Sequence, residues 1–128
     1  MATLRSHVLV DAAPDAVWKV VADTANIADW FPAMAASTGD DSRRTVTLRD
    51  GAVLEEVVVT RDPGSRRFQY RVVGGDLPVE SHLGTVDVIE VPGGSLVVYS
   101  TEIEPASLAG AFEEAISAAV AGLPAFLR

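Results

Sequence analysis

At residue 44 the hydrophobic period of this chain changes from 3.6 to 2, and that change constrains the fold more than any other feature. Upstream, Val17, Trp18, Val20 and Val21 form an apolar stripe at helical spacing. Downstream, Val46 and Leu48 alternate with Thr45, Thr47 and Arg49, and Phe68, Tyr70 and Val72 alternate with Arg67, Gln69 and Arg71. Period 2 places successive side chains on opposite faces of a strand. Turn signals divide the region: Asp50-Gly51, Asp62-Pro63-Gly64, Gly74-Gly75 and Pro92-Gly93-Gly94. Asp-Gly is a strong two-residue hairpin signal, and in the Asp-Pro-Gly turn proline presets one torsion while glycine permits positive φ. The pattern predicts five strands in hairpin succession: one from about residue 44, then about 52–61, about 67–74, about 81–91 and about 95–103. Connections this short favour a largely antiparallel sheet.

The flanks supply one more strand and the helices. Residues 4–10 alternate as a strand, with Leu4, Val8 and Val10 on one face and Arg5, His7 and Leu9 on the other. Pro14 suits a first helical turn, where its missing N–H has no intrahelical partner. A second short helix follows Asp23 or Thr24, carries Ile27 and Trp30, and stops before Pro32. Ala33 to Asp41 is small and polar and marks no element. Glu104-Pro105-Ala106-Ser107 opens a last helix in which Leu108, Phe112, Ile116, Val120 and Leu123 recur at spacings of four, four, four and three. Glu113 and Glu114 are its only charges before Arg128, so most of the helix is expected to be covered. Pro124 cannot donate to the carbonyl of Val120 and is expected to weaken or kink the end. One helix over the apolar face of an antiparallel sheet makes an α+β domain.

At 128 residues the chain is read as one domain, residues 1–128, long enough to bury about two-thirds of its unfolded surface without a staple. It has no cysteine, which removes disulfides, thiolate metal sites and cysteine nucleophiles. The net charge of −8 divides into −4 over residues 1–42, +3 over 43–71 and −7 over 72–128. An acidic chain is a poor nonspecific binder of nucleic acid, and no aromatics interleave with the central arginines as stacking on bases requires. Nucleic acid is therefore not an expected partner. The amino terminus lacks the pattern of a signal peptide. The weakly polar run Ala115 to Leu127 is 13 residues, too short for stable membrane insertion. The expected compartment is the cytoplasm.

Several local patterns fall in a specific order along the chain: Pro14-Asp15-Ala16-Val17-Trp18, then Trp30-Phe31-Pro32, then Arg44 with Val46, Leu48 and Gly51. Glu56 follows six residues before Asp62, then Phe68-x-Tyr70-x-Val72-Val73-Gly74-Gly75, and finally the turn before Glu104-Pro105. In that order they resemble the helix-grip superfamily that includes START domains, birch-pollen-allergen-like proteins and polyketide cyclase/dehydrase-like proteins, over nearly the whole chain. The resemblance implies a helix-grip fold: a curved antiparallel β-sheet wrapped around a long C-terminal helix, with two short helices after the first strand. It also implies a cavity between sheet and helix for an apolar or amphipathic small molecule, and that Glu56 lines it, as the matching glutamate does in abscisic-acid receptors. Where many members carry tryptophan near the end of the last hairpin, this chain has Tyr99.

Strand parity selects the lining. Arg44, Val46 and Leu48 share one face, Leu54 and Glu56 the corresponding face of the next strand, and Phe68, Tyr70 and Val72 that of the third. Leu83 and Thr85 are expected to join them, with Phe112 and Ile116 from the helix. If Arg44 and Glu56 meet across the hairpin they form a partly buried charge-assisted pair that could hold a ligand carboxylate, ketone or hydroxyl by releasing one partner to it; the plain alternative is a structural ion pair at the sheet rim. Trp30 and Phe31 are read either as one wall of the entrance or as packing between the short helices. His7 and His82 are read as surface residues. No local metal spacing, nucleophile elbow or phosphate loop is present, and no cofactor is expected. Arg49, Arg61, Arg67 and Arg71 are placed on the outer sheet face.

Three functions remain open on these residues. The first is binding of a hydrophobic small molecule, with Arg44, Glu56 and Tyr70 as polar anchors. The second is a cyclase, aromatase or dehydratase, with Tyr70 or Glu56 as acid or base. The third is a regulatory module whose outer arginines dock a protein partner or a second copy of the chain.

Overall fold

The computed structural model describes residues 1–128. In chain order it contains β1 (Ala2–Val10), α1 (Pro14–Val21), a 3-10 helix (Thr24–Asp29), β2 (Met34–Gly39), β3 (Arg43–Leu48), β4 (Val53–Asp62), β5 (Arg67–Gly75), β6 (Ser81–Val91), β7 (Gly94–Glu104), a 3-10 turn (Ala106–Leu108) and α2 (Ala109–Phe126). The seven strands form one antiparallel sheet in the order β1-β7-β6-β5-β4-β3-β2. Strands β2 to β7 are successive hairpins, and only β1 returns from the start of the chain to pair with the last strand. This is the α+β helix-grip arrangement expected: a curled sheet with a C-terminal helix across its inner face.

The period-2 signal located five strands to within a residue or two, and missed β2. Its sequence, Met34-Ala-Ala-Ser-Thr-Gly39, has one buried side chain, Met34, and carries no alternation to detect. It is an edge strand, where small polar residues are tolerated because one side of the ladder stays unpaired. Ser37 anchors it: its Oγ donates to the Ala25 carbonyl at 2.8 Å and accepts from the Ala28 N–H at 3.1 Å. The second short helix stops before Pro32 as predicted, with 3-10 rather than α geometry.

Two irregularities in the β4–β5 pairing change which face some residues occupy. The register shifts between Glu55 and Glu56 and again between Val58 and Thr60. A bulge inserts one residue and bends its strand. Past the second shift Arg61 stands opposite the inward-facing Phe68, and its Nε donates to the Ala22 carbonyl at 3.0 Å. Parity counted without that bulge placed Arg61 on the outer face, and this is corrected.

Strand β6 corrects a second expectation. Tyr70 lies opposite Gly84 and Phe68 opposite Val86, and directly opposed residues share a face. The inward set on β6 is therefore His82, Gly84, Val86 and Val88. Leu83 and Thr85 point outward, where Thr85 Oγ1 accepts from Gln69 Nε2 at 3.0 Å; they take no part in a cavity.

Helix α2 packs along β1 and β7. Only Ile116, Ala119, Val120 and Leu123 are buried, at helical spacings on one face. The expectation that most of the helix is covered therefore fails: the opposite side, including Ala118, Ala121 and Ala125, is exposed. Alanine contributes little apolar surface, so its exposure is inexpensive where that of leucine would not be. The helix runs through Pro124 to Phe126. Counted from Ala106 it spans 21 residues, long and apolar enough to cross a membrane by length and composition alone, and more than the 13-residue run suggested. Here its apolar face lies on the sheet.

One-sided burial of α2 has a measurable consequence. Leu123→Ala is expected to cost about 2–5 kcal/mol in a denaturation experiment, because the site is enclosed. Ala118→Ser, on the open side, is expected to change stability by less than about 0.5 kcal/mol.

Candidate functional site

A cavity of about 280 Å³ opens between the β3–β4 hairpin and α2. Its wall is built from Phe31, Ala33 and Met34, which link the 3-10 helix to β2, and from Leu48, Arg49 and Asp50 at the hairpin. Leu54 and Glu56 enter from β4, Tyr70 from β5, Leu77 from the β5–β6 connection, and Ala111, Phe112, Ala115 and Ile116 from α2. Of the residues selected from sequence, Leu48, Leu54, Glu56, Tyr70, Phe112 and Ile116 are in the wall. Arg44, Val46, Phe68 and Val72 face inward and are buried, yet they lie behind the wall and not in it. Phe31 forms part of the wall, whereas Trp30 packs behind it, ring to ring at 5.8 Å.

Parity could not speak for wall residues that come from turns and loops, such as Ala33, Asp50 and Leu77. Ala111 and Ala115 did leave a signal: four residues apart, they flank Phe112 on the cavity side of the helix, where small side chains leave space. Arg49 departs from the outer face on which it was placed. It sits at the cavity mouth, its Nε donating to the Pro32 carbonyl.

The polar end of the cavity rests on one ion pair. Arg44 and Glu56 face each other directly across the β3–β4 ladder. Arg44 Nε donates to Glu56 Oε1 at 2.7 Å, and the two side chains are only 1% and 3% exposed. The guanidinium carbon lies 4.6 Å from the centre of the Tyr70 ring and 5.5 Å from that of Phe68, so two aromatic faces share the cation. Nη1 reaches the Thr24 carbonyl at 3.4 Å, and Nη2 has no partner. Burial penalises both charges. In Glu56 it outweighs the attraction of Arg44 and the carboxyl pKa rises; in Arg44 burial is the largest single effect, but Glu56 together with Tyr70 and Tyr99 outweighs it, and the guanidinium is held more firmly protonated.

Tyr70 and Tyr99 complete this end, their hydroxyls hydrogen-bonded to each other in the core. Burial raises both phenol pKa values, that of Tyr70 well above its ordinary value. Gly84 makes room for the arrangement. A Cβ there would stand 2.5 Å from Tyr70 Cε1 and 2.6 Å from Cζ, so any larger residue displaces the ring.

His82, read from sequence as a surface residue, is buried at 2% exposure beside this network. Its ring packs 5.2 Å from that of Tyr70 and 5.8 Å from that of Phe112. The Val72 N–H donates to its Nδ1 at 3.0 Å, so in the neutral ring the proton sits on Nε2, which has no partner. Burial, then the charges of Arg71 and Arg44, push its pKa down to about 4. It was missed because the inward face of β6 could not be chosen from parity alone, and its lone aromatic neighbours are distant in sequence.

The other central arginines are engaged within the chain. Arg67 forms two hydrogen bonds to Asp87 at 2.8 and 3.0 Å, and Arg71 donates to the His82 carbonyl at 3.2 Å. No group of three or more His, Asp or Glu side chains lies close enough together to hold a metal ion.

The family model described as "Polyketide cyclase / dehydrase and lipid transport" matches residues 1–126. No curated protein matches the chain in sequence. Among solved structures, a Thermobifida fusca protein is 29% identical with a TM-score of 0.76, over 99% of this chain and 91% of that one. A START superfamily protein from Mycobacterium smegmatis is 17% identical with a TM-score of 0.78, over 98% and 99%. The di-domain aromatase/cyclase BexL of the BE-7585A biosynthetic pathway is 21% identical with a TM-score of 0.81, over 99% of this chain and 46% of BexL.

Two experiments probe the polar end. Glu56→Leu alone is expected to destabilise the protein by about 3–5 kcal/mol, since it strands a buried guanidinium. Adding Arg44→Met should recover most of that loss, which chemical denaturation of both variants would measure. His82 makes stability depend on pH. Above pH 6.5 the ring is neutral folded and unfolded; below, the unfolded chain takes up a proton that the folded one refuses until about pH 4. Stability should therefore fall with pH between 6.5 and 4, by about 3 kcal/mol from this group. Melting curves of His82→Gln across the same range should lack that component.

Proposed function

The chain belongs to the polyketide cyclase/dehydrase and lipid-transport family, and from that premise we propose that it binds a small hydrophobic or amphipathic molecule in the cavity under α2. One observation carries the reading. The cavity is half-open, mostly apolar in its wall, and has Glu56 and Tyr70 as the only polar side chains away from its mouth. A mostly apolar pocket with a few placed polar groups is the usual form of a small-molecule site. Its volume, about 280 Å³, lies just under the ~300–1,000 Å³ common for such sites. The ligand is accordingly compact, or leaves part of itself outside the mouth beside Arg49 and Asp50.

The cyclase-type alternative needs Glu56 or Tyr70 to move protons near neutral pH. Glu56 is already tied to Arg44, and burial makes the Tyr70 phenol a still weaker acid. Both facts favour holding a molecule over transforming it. The docking alternative draws on arginines that already hold partners inside the chain.

N-phenyl-1-naphthylamine, a neutral probe that brightens in apolar surroundings, tests the proposal. Wild-type protein should enhance and blue-shift its emission. Ala115→Trp, which places a large ring in the wall, should reduce the affinity at least tenfold, whereas Ala118→Trp on the open side of α2 should not. Circular dichroism confirms that both variants are folded. Equal binding by all three proteins would remove the cavity as the site.

A further inference from the structure

The ion pair is oriented with respect to the cavity, and the orientation selects among head groups. Glu56 is in the wall; Arg44, which neutralises it, is behind the wall with its guanidinium against the Tyr70 ring. Oε1 of Glu56 accepts from Arg44, and no hydrogen bond reaches Oε2, although the side chain is 97% buried. At the inner end of the cavity a molecule thus meets an acceptor oxygen and no cation. Covering that oxygen with hydrocarbon removes its access to water and gives nothing in return, which is costly for a charged acceptor. A ligand group that donates a hydrogen bond restores the balance.

The rest of the wall narrows the donor. The Arg44–Glu56 pair carries no net charge, so nothing offsets the burial of an ammonium. A carboxylate is likewise without a counter-charge there and has no proton to give. At the mouth, Arg49 and Asp50 are both exposed and oppose each other in charge. Tyr70, the other polar group at the inner end, already shares its hydroxyl with Tyr99.

We infer that the cavity takes neutral amphipathic molecules bearing a hydroxyl, alcohol or phenol, that donates to Glu56 Oε2, and discriminates against carboxylates and ketones of the same size. This rests on the cavity being the ligand site, and the test separates the two claims.

The experiment displaces N-phenyl-1-naphthylamine from the wild-type protein with 1-octanol, 2-octanone and octanoate at neutral pH. 1-Octanol is expected to act at a concentration at least tenfold below 2-octanone, with octanoate weakest. In Glu56→Gln the amide oxygen stays with Arg44 and the amide N–H groups face the cavity, so the preference should turn toward 2-octanone. Should that variant fail to fold, 1-methoxyheptane makes the same change on the ligand: it is an isomer of 1-octanol without a donor, and should be at least tenfold weaker. If all the compounds displace the probe equally, the head-group selection is wrong while the cavity remains a binding site. If octanoate is strongest, the selection is overturned in favour of Arg49 at the mouth. If the probe never binds, both claims fall.

Discussion

The buried pair of Arg44 and Glu56 is the interaction around which the sheet and its cavity are organised. Two charges taken this far from water are tolerable only if they meet in good geometry, and here they meet at 2.7 Å from directly opposed positions on β3 and β4. A slip of one residue would turn every side chain on β3 to the other face. It would also leave a guanidinium and a carboxylate buried apart. The pair therefore penalises wrong registers more than it stabilises the right one. The correct register puts Val46 against Leu54 and sets Arg44 over the Tyr70 ring. That in turn fixes Tyr70 between the cation and the bare backbone of Gly84.

The cavity follows from side-chain size. Phe112 and Ile116 bring α2 onto the wall, while Ala111 and Ala115 beside them hold it back from filling the space. Across the mouth Ala33 does the same for the start of β2. A core that contains an unfilled volume forgoes packing energy, so small residues at these places reduce stability unless something occupies the space. The two register shifts in β4 add curvature where the sheet wraps toward the helix. Bulges, a glycine under an aromatic ring and small residues on the helix act together to keep one end of the core open.

How much of this could be read in advance depended on the kind of signal each element leaves. Alternation and turn residues marked β3 to β7 closely, because each strand is buried on one face and bounded by Gly or Pro. Strand β2 left no such trace, since only Met34 is buried and Ser37 holds it through a side chain. Parity paired Arg44 with Glu56 because no bulge intervenes between them. It failed for Arg61, beyond the bulge at Val59, and for β6, whose facing could be decided only by its pairing with β5. There, choosing Leu83 and Thr85 meant overlooking His82. Wall residues such as Leu77 and Asp50 come from connections, where no periodic rule applies. A sequence shows faces of elements; it does not show which members of a face end at a void.

The ionisable groups at the inner end share one tendency that bears on chemistry. Burial raises the carboxyl of Glu56, raises the phenols of Tyr70 and Tyr99, and lowers His82 to about 4. Each shift favours the neutral form, and Arg44 alone is held in its charge by a partner. General acid–base catalysis works best with a group whose pKa lies near the working pH. Both phenols and the imidazole are moved away from that range, and the carboxyl is hydrogen-bonded to a cation throughout. The two phenols and the imidazole therefore keep one protonation state near neutral pH, and so present a constant pattern of donors and acceptors. Under the reading proposed above, that constancy suits recognition of a head group.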